Sequence, residues 1–190
     1  MKIEIVGTAP LLMHNVRLAD AENPYVKEIS KLTAKRTRKT DEDRREIDRL
    51  SFAGGLYHDA QMGPYLPAEN IFRCLQESAA LTRSGKKIER GVIFLESRVP
   101  IEYEGPRDID SLWNDGNSQF VDRRMVVVQR QRIARVRPIF PEWQCSISVE
   151  IDRQIIDPDE FCEITAKAGR LIGLGDFRRF YGKFNGTVIR

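Results

Sequence analysis

The sequence has little in it that reacts. It carries three cysteines and two histidines. Cys74, Cys145 and Cys162 stand far apart, each within an apolar pattern, and no CxxC pair occurs. His14 and His58 are far in sequence from every cysteine. This spacing argues against a disulfide framework and against a zinc site, and it leaves buried, reduced thiols as the expectation. No metal or cofactor is expected. Long apolar runs are missing too: even the longest, such as that from Met125 to Val128, are far too short to cross a bilayer, so no membrane partner is expected. Strand-like residues begin at Lys2, which leaves no room for a cleavable leader and makes a cytoplasmic location the expectation.

A large surplus of one charge is also absent, since the formal net charge is only +3. Its distribution is uneven. Lys27, Lys31, Lys35, Arg36, Arg38 and Lys39 crowd one stretch in which Glu28 is the sole acid. Arg123, Arg124, Arg130, Arg132, Arg135 and Arg137 fill a second stretch that contains no acid at all. Acids gather elsewhere, from Asp41 to Asp48 and from Asp157 to Glu163. With 41% hydrophobic and 31% charged residues, the chain has the composition of a soluble globular protein with one core.

Lys2 to Val6 alternates in polarity and predicts a first strand. The charged stretch from about 11 to 50 reads as an insertion, with helices from Pro24 to Ala34, capped by Asn23, and from Asp41 to Leu50. Ser51 to Tyr57 reads as a short strand broken by Gly54 and Gly55, and Gly63 to Pro67 as a loop. From Ala68 to Arg83 the spacing of Ile71, Cys74, Leu75, Ser78, Ala79 and Thr82 predicts an amphipathic helix, stopped by Gly85. Gly91 to Ile101 predicts a core strand ending near Pro100.

A second insertion, from about 104 to 140, begins as a loop and continues as an extended, arginine-rich hairpin arm. Trp143 to Ile151 alternates as a strand. Asp157, Pro158 and Glu160 announce a helix with a capping box, ending at Gly173, and Lys183 to Ile189 closes the chain as a strand. With the insertions set aside, the order is βαββαβ: an α+β domain with a ferredoxin-like core, spanning 1–190.

Tyr65-Leu66-Pro67-Ala68-Glu69-Asn70-Ile71, the βαββαβ order and the segment Gly173-Leu174-Gly175-Asp176-Phe177-Arg178-Arg179-Phe180-Tyr181-Gly182-Lys183-Phe184 together carry a resemblance. They resemble the RAMP proteins, the RNA-binding subunits of CRISPR complexes, which have a glycine-rich loop before the last strand. The loop at Pro67-Ala68-Glu69 departs from that family in lacking a glycine. The whole sequence, with its opening Pro10-Leu11-Leu12-Met13-His14-Asn15-Val16-Arg17-Leu18-Ala19-Asp20, is also similar to small phage and prophage proteins. The resemblance implies binding of single-stranded DNA or RNA by copies lying side by side as a homo-oligomer or filament. It implies a setting in a bacterial or phage-infected cell, in phage replication and recombination or in a CRISPR-like complex.

The residues themselves point the same way. In an extended chain, residues two apart share a face about 7 Å from one another, so Arg130 with Arg132, and Arg135 with Arg137, can track successive phosphates. Lys27, Lys31 and Lys35 recur at helical spacing, and with Arg36 and Arg38 form either a clamp over a bound strand or a solvated face balanced by Asp41, Glu42 and Asp43. Arg178, Arg179 and Lys183 stand in the glycine segment, where backbone N–H groups approach phosphate. Phe177, Phe180 and Tyr181 interleave them and are expected in the core, as are Phe140 and Trp143. His14 and His58 are the acid–base candidates for a metal-independent endoribonuclease, or else structural. A protein–protein module whose basic arm docks on an acidic partner is the remaining alternative.

Overall fold

The computed structural model describes residues 1–35, 39–128 and 131–190. It is a mixed α+β structure. Strand β1 (Lys2–Gly7) and the two-residue β2 (Leu11–Leu12) come first, followed by a 3-10 turn, Val16–Ala19. Helices α1 (Pro24–Thr33) and α2 (Asp41–Gly55) precede β3 (His58–Asp59) and β4 (Gly63–Pro67). Then come α3 (Ala68–Ala80), α4 (Gly85–Gly91), β5 (Val92–Phe94), β6 (Arg98–Pro100) and α5 (Ile109–Trp113). The chain ends with β7 (Val121–Val128), β8 (Gln131–Phe140), β9 (Gln144–Ile151), α6 (Pro158–Lys167), a π-helical turn Ala168–Ile172, and β10 (Phe184–Ile189).

Alternation along β1 and β9 buries Ile3 and Ile5 beside Cys145, Ile147 and Val149. The strands join in the order β10-β1-β9-β5, each antiparallel to its neighbours. Two helices complete this core. The α3 stripe of Ile71, Cys74, Leu75, Ser78 and Ala79 is buried, as are Phe161, Ile164 and Thr165 of α6. They meet directly, because the Ser78 hydroxyl donates to the Ile164 carbonyl at 2.9 Å. Burying a side chain such as Phe161 stabilises the fold by about 1.5–3 kcal/mol.

Both insertions belong to this packing. Leu11 and Leu12 are fully buried and pair with Phe140 and Ile139 of β8, in a second sheet ordered β2-β8-β7. A third sheet, β3-β4-β6, forms where a loop was expected over Gly63–Pro67. α2 runs on to Gly55, through the residues that read as a strand. Its start is fixed by a capping box between Thr40 and Asp43. Gly54 does not break it, because its missing side chain admits Leu18, whose Cδ2 would lie 2.6 Å from a Cβ there. At the other end, Arg17 donates from Nε to the Gly54 carbonyl (2.8 Å) and from Nη2 to those of Ala53 and Leu56 (2.6 and 2.9 Å). A cation there satisfies terminal carbonyls and opposes the negative end of the helix dipole.

Other elements differ in detail. The stretch from Gly85 to Ile101 is a short helix, α4, and two short strands in place of one long one. Asn23 and Asp157 cap α1 and α6 as expected, but Glu160 closes no capping box; it reaches instead to Ser84 and Lys87 of the α4 region (2.9 and 2.7 Å). Among the described residues no helix is long and apolar enough to cross a membrane.

Candidate nucleic-acid interface

The arginine-rich segment is a hairpin in unbroken register. Directly opposite residues share a face, so Arg124 with Arg135, and Asp122 with Arg137, project to one side. Arg123, opposite Val136, projects to the other, as does Arg132, which lies three residues from Arg135. The Arg123 side packs on α2, where its guanidinium meets Asp48 at 2.5 Å. Arg130 lies outside the described residues, as do Arg36 and Arg38.

The other side meets the glycine loop, 173–182. Gly173, Gly175 and Gly182 all have positive φ. Three backbone bonds fix the loop: Leu174 N–H to the Gly182 carbonyl (2.9 Å), Gly182 N–H to Pro10 (2.8 Å) and Asp176 N–H to Leu12 (2.7 Å). A Cβ on Gly182 would stand 1.8 Å from the Leu174 oxygen, so no other residue fits that φ of +64°. Two contacts join loop and hairpin. The Arg137 Nε lies 3.0 Å from Asp176 Oδ2, within ion-pair distance although the two atoms are not aligned as a hydrogen bond. Arg124 Nη2 donates to the Tyr181 hydroxyl at 2.6 Å, with its guanidinium 4.8 Å from that ring's centre.

These contacts leave an uneven charge. Arg124 is neutralised by Asp122 (Nε to Oδ2, 2.7 Å) and is held protonated by it, while Arg137 is neutralised by Asp176. Arg178 pairs with Glu77 of α3 at 3.0 Å. Arg132, Arg135 and Arg179 are exposed and have no carboxylate partner among the described residues. Lys183 donates to the carbonyls of Leu171 and Ile172 (3.0 and 3.1 Å), so it terminates the π-helical turn.

Phe177 and Phe180, expected in the core, are exposed; Tyr181 is half-buried under Arg124. Phe140 and Trp143 are buried as expected, and the Trp143 indole donates to the Ala9 carbonyl at 2.9 Å. Beneath the loop lies a cleft of about 250 Å³, lined by His14, Tyr57, Asn70, Arg73, Gly173–Gly175 and Arg178 among others. His14 is exposed and lines this cleft. Partial desolvation lowers its pKa below the ordinary histidine value; Asp176 pulls it up, and Arg137 and Arg135 push it down. His58 is elsewhere: its Nε2 donates to the Arg107 carbonyl at 2.8 Å.

No family model matches the chain, and no curated protein does. The geometry therefore carries the functional reading by itself. Arg124 and Arg137 contact one loop, which itself carries Arg178 and Arg179; Arg135 shares their hairpin face, and His14 lines the cleft under the loop. The N-terminal cations do not form the expected stripe, because α1 ends at Thr33, before Lys35. Lys27, Lys31 and Lys35 pair with Glu22, Glu28 and Asp43, which makes the described part of this segment a balanced surface. Asp108 and Asp157 have structural work, since they cap α5 and α6. Among the described residues no three His, Cys, Asp or Glu side chains come together as a metal site. Asp176 escaped the sequence reading, yet it is the sole acid in the glycine segment, and an acid among cations is the signal of an internal tether.

Proposed function

We propose that the protein binds single-stranded nucleic acid with little regard for sequence, along the face where the hairpin base meets the glycine loop. One observation carries this: the Arg137–Asp176 and Arg124–Tyr181 contacts fasten the loop to the hairpin face that also carries the exposed Arg135, and the fastened loop itself carries the exposed Arg179. The acids of this face, Asp122 and Asp176, are already neutralised, so its remaining charge is positive and suits phosphate. The exposed Arg132 on the hairpin's other face offers a further contact, and copies side by side would extend the site along the strand.

A ferredoxin-like core of the RAMP type is part of the proposal. The strand order β10-β1-β9-β5, all antiparallel, and the contact between α3 and α6 support it. A bacterial or phage-infected cytoplasm, with a role in phage replication or in a CRISPR-like complex, is the setting that goes with it.

The test is a polarisation titration with matched single-stranded DNA, single-stranded RNA and duplex across salt. Both single strands should bind more tightly than duplex. Neutralising about three phosphates gives a slope of log K against log salt of about −2. Duplex preference, or affinity indifferent to salt, contradicts the proposal.

A specific observation also favours a metal-independent ribonuclease as second reading: His14 lines the cleft under the glycine loop and is held toward its neutral form, chiefly by partial burial and also by the charges of Arg137 and Arg135. Cleavage of structured RNA in EDTA that is lost in His14→Ala would establish it.

A further inference from the structure

We infer that Phe177 and Phe180 form a stacking platform for unpaired bases of the bound strand, an inference that rests on the single-strand reading above. The two rings are 51% and 61% exposed, against a core in which Phe52, Phe140 and Phe161 are fully covered. They also meet each other, centroids 5.2 Å apart and planes inclined by 48°, and the Tyr181 ring lies 6.1 Å from Phe177. Three aromatic side chains thus share one patch, with Tyr181 half-buried under Arg124 and the two phenylalanines exposed.

Their exposure is built into the backbone. Phe177 has φ of +49°, a left-handed conformation that disfavours any residue with a Cβ. It is kept there from both sides. Asp176 Oδ1 accepts the Phe177 N–H at 2.9 Å while the same carboxylate faces Arg137, and the Phe177 carbonyl accepts the N–H groups of Phe180 and Tyr181 (3.1 and 3.2 Å). Asp176 is tied in turn to β2 through the Leu12 carbonyl. A loop so fastened, with glycine at positions that admit no side chain, presents its phenylalanines outward as a consequence of its fold.

Charge selects the occupant. Arg178 and Arg179 lie between the two rings in sequence, Arg179 is exposed, and Arg135 stands open on the adjoining hairpin face. The nearest acid of the loop, Asp176, is neutralised by Arg137. An apolar patch with a cationic rim fits a ligand that carries a flat aromatic group beside an anion in every repeat, which describes a nucleotide strand. Base–aromatic stacking tolerates any base, in keeping with weak sequence dependence.

The experiment compares a labelled oligothymidylate with a strand of equal length made of abasic residues, on wild type, Phe180→Ala and Phe180→Trp. Phe180 is chosen because its backbone, unlike that of Phe177, has no positive φ. Wild type should prefer the base-bearing strand. Phe180→Ala should lose roughly tenfold in affinity for it, the worth of one stacked base, and keep its affinity for the abasic strand. Phe180→Trp should retain binding, and its indole fluorescence should be quenched by the base-bearing strand alone. Equal wild-type affinity for the two strands overturns the inference while leaving the single-strand reading intact. So does equal weakening of both by Phe180→Ala, which would assign the ring to holding the loop, or self-association of the free protein that Phe180→Ala abolishes. Failure to bind either strand overturns both.

Discussion

Asp176 lies against Arg137, Oδ2 to Nε at 3.0 Å, and through this pair the glycine loop is fastened to the base of the hairpin. Both atoms are shielded from water. Asp176→Asn keeps the shape and removes the charge, leaving the Arg137 guanidinium without its anion. The substitution should cost about 1–3 kcal/mol in urea denaturation. It should also move the His14 pKa further down in an NMR titration, because Asp176 is the group that pulls it up. An unchanged His14 titration contradicts the arrangement.

His14 gives the protein a pH signature. Its folded pKa lies below the ordinary 6.5, so the unfolded chain binds the proton first as pH falls. The His14 contribution to stability is therefore fully present above about pH 6.5 and is lost as pH drops toward the folded value. A phosphate bound beside it would raise the folded pKa, so single-strand affinity should rise as pH falls from about 7 to 5. In His14→Gln this rise should flatten, as measured by binding titrations at matched salt.

The glycine loop tolerates no side chain at Gly182, where a Cβ meets the Leu174 oxygen and φ is +64°. Gly182→Ala should destabilise the fold by about 2–4 kcal/mol, from overpacking and left-handed strain together. Because the loop carries Phe177 to Arg179, the variant should also weaken single-strand binding at temperatures where it remains folded. Denaturant melts and titrations on the same preparation check both.

Thiol chemistry tests the core independently. Burial pushes the Cys74 and Cys145 thiols up to about 12, whereas Cys162 is partly exposed. An aromatic disulfide reagent at pH 8 should therefore label Cys162 rapidly in the native protein and all three cysteines in urea. Rapid native labelling of Cys74 would show that α3 does not seal against the 168–173 turn.

The outer frame was legible from local pattern. Alternation found β1 and β9, the stripe from Ile71 to Ala79 found α3, and Asn23-Pro24 and Asp157-Pro158 marked the starts of α1 and α6. Long-range packing set the rest. Gly54 and Gly55 read as breakers, but tertiary contact with Leu18 and Pro138 makes glycine the residue that fits within α2. The prolines of Gly63–Pro67 read as loop, yet the segment pairs with β6 on one side and β3 on the other. Charge pairing was least visible of all, because Arg123 finds Asp48 at a separation of 75 residues and Arg178 finds Glu77 at 101. The sequence shows where cations gather; only the fold decides which are already spent on carboxylates.

The most direct test of the shared cationic face is the double variant Arg135→Glu, Arg179→Glu, compared with Arg132→Glu on the hairpin's other face. Binding of single-stranded DNA and RNA is measured by polarisation, with thermal denaturation alongside. The double variant should lose affinity by about a hundredfold or more, through lost phosphate contacts and added repulsion, while its midpoint stays within about 2 °C, and Arg132→Glu should lose far less. Wild-type affinity in the folded double variant, or an equal loss in Arg132→Glu, would contradict a binding face built where the hairpin and the glycine loop meet.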